Sequence, residues 1–249
     1  MIPAFLYVLG CGGLTGEPTW EQRGHWELDP PPIPDADCPA PIVAVPHARV
    51  LDLHVVVARG VAERDVHWHV AWARVWWASQ GVAVKVSGWR EHAGSDPVLV
   101  QGASLAEVVS PLRGVLLEPA PAGHVRLVVL PRLASEGSPA ARWFDPLLGL
   151  TVSPHHQRRR RTVGDDPGGV VLSALGLPEA FTPTVWLSME ALDALPQERS
   201  RFVLAHELGH AMGLSHVTER GRLMGPGFPR CAPTLSDDER RWVQQAREE

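Results

Sequence analysis

Three histidines and one glutamate fall at fixed intervals in an eleven-residue string, His206-Glu207-Leu208-Gly209-His210-Ala211-Met212-Gly213-Leu214-Ser215-His216. No other stretch constrains the fold so tightly. On a helix, His206 and His210 share one face, one turn apart. Their ring nitrogens can then reach a single ion at roughly 2.0–2.1 Å, the zinc–imidazole distance. Glu207 lies about 100° round the same helix. That angle is awkward for a ligand and suits a carboxylate that holds a water beside the ion. Gly213 permits a sharp turn where a side chain would clash, and the turn returns His216 as a third ligand. Three protein ligands leave one position open, the mark of a catalytic rather than a structural zinc site.

After a short loop the chain continues into Leu223-Met224-Gly225-Pro226. The two parts together resemble the metzincin clan of zinc metalloproteases. The Ala-Met-Gly-Leu-Ser-His wording is similar to its matrixin-like branch. The resemblance implies an α/β (α+β) catalytic domain, with a twisted mixed sheet, an active-site helix and a C-terminal helix. It also implies a zinc-dependent endopeptidase in which a metal-activated water hydrolyses the peptide bond. Glu207 would be the general base, and His206, His210 and His216 would hold one catalytic Zn2+. Met224 would be a structural floor beneath the metal. In the clan an edge strand forms the upper rim of the cleft and pairs with substrate. The run Thr184-Val185-Trp186-Leu187-Ser188 reads as a strand just before the helix, so Val185, Trp186, Leu187 and Ser188 are the expected rim. The lone tyrosine is Tyr7, so no tyrosine near the methionine turn can assist. A second reading keeps the zinc and drops the chemistry, making the domain an inactive zinc-binding surface module. Retention of Glu207 speaks against it.

A net charge of −5 argues against nucleic acid as the main partner. The expected partner is a protein or peptide substrate, and the expected state a monomer. With 45% hydrophobic residues over 249 positions, the chain can bury a sizeable core. Three segments are expected. Residues 1–11 form a short apolar run ending in Val8-Leu9-Gly10-Cys11, which resembles a bacterial lipoprotein signal with Cys11 as the lipidated residue. An ordinary buried first strand is the plainer alternative. Residues 12–47, with Pro30-Pro31-Pro32-Ile33-Pro34, read as an extended arm. Residues 48–249 form the metalloprotease domain. This organisation predicts an exported protein, either secreted or held at the cell envelope, touching a membrane only through the lipid. In that setting a Cys38–Cys231 disulfide is the simple pairing. The competing reading makes Cys231, in Pro229-Arg230-Cys231, an inhibitory zinc ligand.

Hydrophobic periodicity places strands at 50–57, 82–86 and 125–130 and helices at 61–79, 104–113 and from Gln197 to Met212. Trp68, Trp72 and Trp76 recur every four residues and read as a face packed under the sheet. Ser236-Asp237-Asp238-Glu239 is a capping box that opens a C-terminal helix. Residues 131–182 resist reading, because proline, glycine and charge interrupt every pattern. The run Arg158-Arg159-Arg160-Arg161 is open to three readings: a solvated loop, a protease-nicked site or a nucleic-acid contact. His155, His156, Asp165 and Asp166 are candidates for a second, structural ion.

Overall fold

Within Leu51, Leu53, Val55 and Val57, alternate residues of one strand all point into the same core, while Val56 and Ala58 point into a second. Alternation of this kind follows from the two-residue period of a strand. The burial of its C-terminal half on both faces shows that the sheet is covered on both sides. The computed structural model describes residues 45–92, 107, 109–118, 123–133, 148–154, 171, 174–176, 181–227 and 231–245. The arm up to residue 44, Cys11, Cys38, the Arg158–Arg161 run and the His155, His156, Asp165 and Asp166 group lie outside them.

The elements are β1 (Arg49–Ala58), α1 (Glu63–Ser79), β2 (Val82–His92), α2 (Leu112–Leu117), β3 (His124–Leu130), β4 (Gly149–Val152), β5 (Thr184–Ser188), α3 (Met189–Asp193), α4 (Gln197–Ser200), α5 (Val203–Ala211) and α6 (Asp237–Gln245). Five strands form one sheet in the order β2-β1-β3-β5-β4. Neighbours pair in parallel except β4, which runs antiparallel to β5. The fold is therefore mixed α/β, as the sequence predicts. No described helix is long and apolar enough to cross a membrane.

One face of the sheet carries α1 and α5, and their shared core includes Val70, Ala73, Trp77, Leu204 and Leu208. The other face carries α2 through Leu112 and Leu116, together with Val128, Leu150, Val152 and Trp186. Of Trp68, Trp72 and Trp76, only Trp76 joins the sheet-facing core, together with Trp77, and the indoles of α1 also make polar ties. Trp76 Nε1 donates to the Pro233 carbonyl at 3.1 Å, and Trp77 Nε1 donates to the Ala205 carbonyl at 3.2 Å. Trp72 packs edge-on against Phe202. The indoles thus tie the first helix to α5 and to the segment before α6. Replacing Trp77 with phenylalanine removes the indole donor and part of a fully buried ring. The expected cost is about 1–3 kcal/mol. Urea denaturation reads it, and an unchanged midpoint would show that this tie contributes nothing.

The helix expected from Gln197 to Met212 is split. Arg201 and Phe202 form a turn between α4 and α5, and the buried Arg201 guanidinium stacks 5.1 Å from Trp72 and 5.0 Å from Phe202. The helix expected at 104–113 is helical at 107 and 109, and α2 begins only at Leu112. At the C-terminus the capping box forms as read. Glu239 N–H donates to Ser236 Oγ at 3.1 Å, and Ser236 N–H donates back to Glu239 Oε2 at 2.7 Å.

One expectation needs correction. Val185, Trp186, Leu187 and Ser188 do not form an edge. β5 is paired on one side with β3 and on the other with β4, and all five of its residues are buried. Its backbone donors and acceptors are used by both neighbours, so no substrate strand can add there. Ser188 instead caps α3, accepting from Ala191 N–H at 3.4 Å. Among the described residues, the outermost strand on this side is β4.

Candidate metal centre

α5 is buried along its whole length. It ends in a turn that the sequence dictates. Gly213 has φ +91, the left-handed region that favours glycine. Gly213 N–H donates to the His210 carbonyl and Leu214 N–H to the Gly209 carbonyl, each at 2.9 Å. This pair of bonds is the Schellman arrangement, which closes a helix while satisfying its last carbonyls. The chain then doubles back, and Val217 N–H donates to the Met224 carbonyl at 2.9 Å. His216 is delivered between these two anchors.

The three imidazoles converge. His216 Nε2 lies 3.2 Å from His206 Nε2 and 3.0 Å from His210 Nε2. Their candidate ligand atoms all lie within 4.8 Å of one another. Nitrogens around a tetrahedral zinc, with bonds near 2.05 Å, are about 3.3 Å apart. The ring orientations are fixed from behind. His206 Nδ1 lies 2.6 Å from the Leu223 carbonyl, and His210 Nδ1 lies 2.8 Å from the Leu214 carbonyl. A carbonyl can only accept, so both Nδ1 atoms carry the proton and both Nε2 atoms present a lone pair. Such backbone acceptors behind the ligands are how proteins orient metal-binding histidines. Burial pushes His206 down to about 4, His216 nearby adds to the fall, and the Leu223 bond partly opposes it. A neutral ring is the form a cation needs. Lone pairs of this kind, packed together and held from outside, fit a zinc ion.

Glu207 is buried beside this cluster. Its Oε2 accepts from Thr151 Oγ1 on β4. On the same face of β4, Gly149 leaves room for the carboxylate, since a Cβ there would lie 2.7 Å from Glu207 Oε1 and Cγ. Met224 is fully buried, and its sulfur would lie 2.7 Å from a Cβ at Gly209. Glycine at 209 is thus what lets the methionine turn close against α5, and the turn supplies the Leu223 carbonyl. Cys231 is disulfide-bonded, which removes it as a thiolate ligand. Cys38, its expected partner, lies outside the described residues.

Sequence reasoning singled out His206, His210 and His216, which converge here, together with Glu207 and Met224. It missed Thr151, Gly149, and the Leu214 and Leu223 carbonyls. The carbonyls leave no mark in residue identity. A weak signal for β4 exists in Gly149-Leu150-Thr151-Val152, where bulky β-formers alternate with smaller residues.

Residues 182–246 match the family model of the matrixins, a family of peptidases. The matched residues include the three candidate ligands, Glu207 and Met224. Solved structures similar to the chain include metalloproteinase-II from Bacteroides fragilis, at 14% identity and a TM-score of 0.49, covering 84% of this chain. The match spans just over half, 56%, of that protein's own length. A zinc-dependent peptidase from Methanocorpusculum labreanum matches at 17% identity and a TM-score of 0.40, over 77% of this chain and 99% of that one. The archaemetzincin of Methanopyrus kandleri matches at 19% identity and a TM-score of 0.42, over 78% and 94%. No curated protein sequence matches the chain.

Proposed function

We propose that the protein is a zinc-dependent endopeptidase with Glu207 as its general base. The observation that carries this reading is the convergence of three Nε2 atoms next to a carboxylate held in place by Thr151. His206, His210 and His216 would hold the ion. Zinc supplies Lewis acidity, which makes water a nucleophile near neutral pH and polarises a carbonyl. Glu207 takes the proton from the attacking water and passes it to the departing amine nitrogen. The buried wall formed by β4 keeps that carboxylate from swinging into solvent. β4 also offers the outermost backbone of the described sheet, so an extended substrate can add there as a further strand. Pairing along a strand needs no free terminus on the substrate, which supports cleavage within a chain rather than at its end.

A mixed quenched-fluorescence peptide library, digested with the zinc-loaded protein with and without chelator, tests the reading. Cleavage at internal bonds is expected, lost on chelation and restored by zinc. Zinc binding with no cleavage of any peptide would favour the inactive surface module instead.

A further inference from the structure

Three residues of the β4 segment face α5 in register: Gly149, Thr151 and Ser153. Ser153 Oγ donates to the Ala211 carbonyl at 3.2 Å, and Thr151 Oγ1 lies 3.0 Å from the Glu207 carbonyl. The two hydroxyls thus meet carbonyls one helical turn apart, which alone would be docking of a strand on a helix. Thr151 does something more. Its single hydroxyl proton is also within reach of Glu207 Oε2. An ionised carboxylate is a stronger acceptor than a helix carbonyl that already takes a backbone bond. Two residues earlier on the same face, the bare Cα of Gly149 faces Glu207 Cγ, Cδ and Oε1, which would lie 2.7–2.8 Å from any Cβ placed there. The carboxylate therefore packs against this face of β4, with Oε2 held by Thr151 and Oε1 against Gly149.

We propose that Thr151 and Gly149 are positioning residues that set the Glu207 carboxylate for proton transfer. The inference rests on the peptidase reading above. β4 then has two roles on one strand: its outer backbone takes the substrate, and its inward side chains fix the base. Positioning matters because a base displaced by about 1 Å loses a large part of its contribution.

The test compares Thr151→Val, Thr151→Ser, Gly149→Ala and Ser153→Ala in the zinc-loaded protein, on the best-cleaved peptide of the library. Thr151→Val keeps the shape and removes the hydroxyl. Its kcat is expected to fall about 10-fold or more, a part of the roughly 10²–10⁴-fold that a general base contributes, with KM and zinc content unchanged. Thr151→Ser restores the hydroxyl and should recover most of kcat. Gly149→Ala places a methyl against the carboxylate and should also lower kcat. Ser153→Ala is the docking control. It loses a strand-to-helix bond of the same kind, so its melting temperature falls while kcat holds. The proposal is overturned if Thr151→Val keeps wild-type kcat, or if Thr151→Ser fails to recover what Thr151→Val loses. If the wild type cleaves nothing, the peptidase reading fails by itself. A crystal structure of zinc-loaded Thr151→Val then decides the positioning role: a displaced or multiply oriented Glu207 supports it, and an unmoved carboxylate overturns it.

Discussion

Glu207→Ala is expected to lower peptide cleavage by about a thousandfold while leaving bound zinc unchanged. The size follows from what a positioned general base contributes, on the order of 10²–10⁴. The selectivity follows from geometry. The three candidate ligand nitrogens come from His206, His210 and His216, and the carboxylate is held by β4. The orienting bonds of the ligand rings run to the Leu223 and Leu214 carbonyls. Removing the carboxylate therefore leaves the metal cradle intact. Cleavage rate and metal content, measured on the same sample, check it. A variant that keeps wild-type rate would remove Glu207 from the mechanism. A variant that loses zinc along with activity would show that the carboxylate serves the cradle and not the proton.

What could be read in the chain depends on where the information sits. The histidines, Glu207, Gly213 and Met224 act through side-chain chemistry or a glycine turn at fixed local spacing. A string of residue types records these directly. The long strands and α1 are legible because their apolar residues repeat at the period of the element, as Leu51 to Val57 and Val66 to Trp77 do. β4 escapes for the opposite reason. It is four residues long, and the face it turns to α5 carries Gly149 and Thr151, so half of its pattern has no hydrophobic mark. Sequence order points to Val185–Ser188 as the edge because that run precedes the helix. Strand order is a non-local property, however, and β4 inserts on the far side of β5 from an earlier part of the chain. The carbonyls that orient the histidines belong to the backbone, where any residue could supply them. The break at Arg201 and Phe202 also has no local signal, since neither proline nor glycine stands there.

The two kinds of anchoring in the cradle should separate on metal titration. His216 is exposed and sits on the returning loop, which is pinned by Gly213 and by the Val217–Met224 backbone bond. His206 is buried, with its Nδ1 on the Leu223 carbonyl. In the wild type, zinc at about a hundred times its dissociation constant should add about 2.7 kcal/mol. For a chain of this size that is a rise of about 5–10 °C in melting temperature. His216→Ala deletes a ligand without disturbing any buried bond. Its affinity for zinc should fall by more than the 10–100-fold that follows loss of an outer partner, so the zinc-dependent rise disappears while the metal-free melting temperature stays put. His206→Ala loses the same rise and more. It also strips the Leu223 carbonyl of its donor inside the core, at about 1–3 kcal/mol, so its metal-free form melts lower as well. Differential scanning calorimetry with excess zinc and with chelator distinguishes the two. If His216→Ala still shows the full wild-type rise, the third imidazole is not a ligand and the open-site chemistry built on it fails.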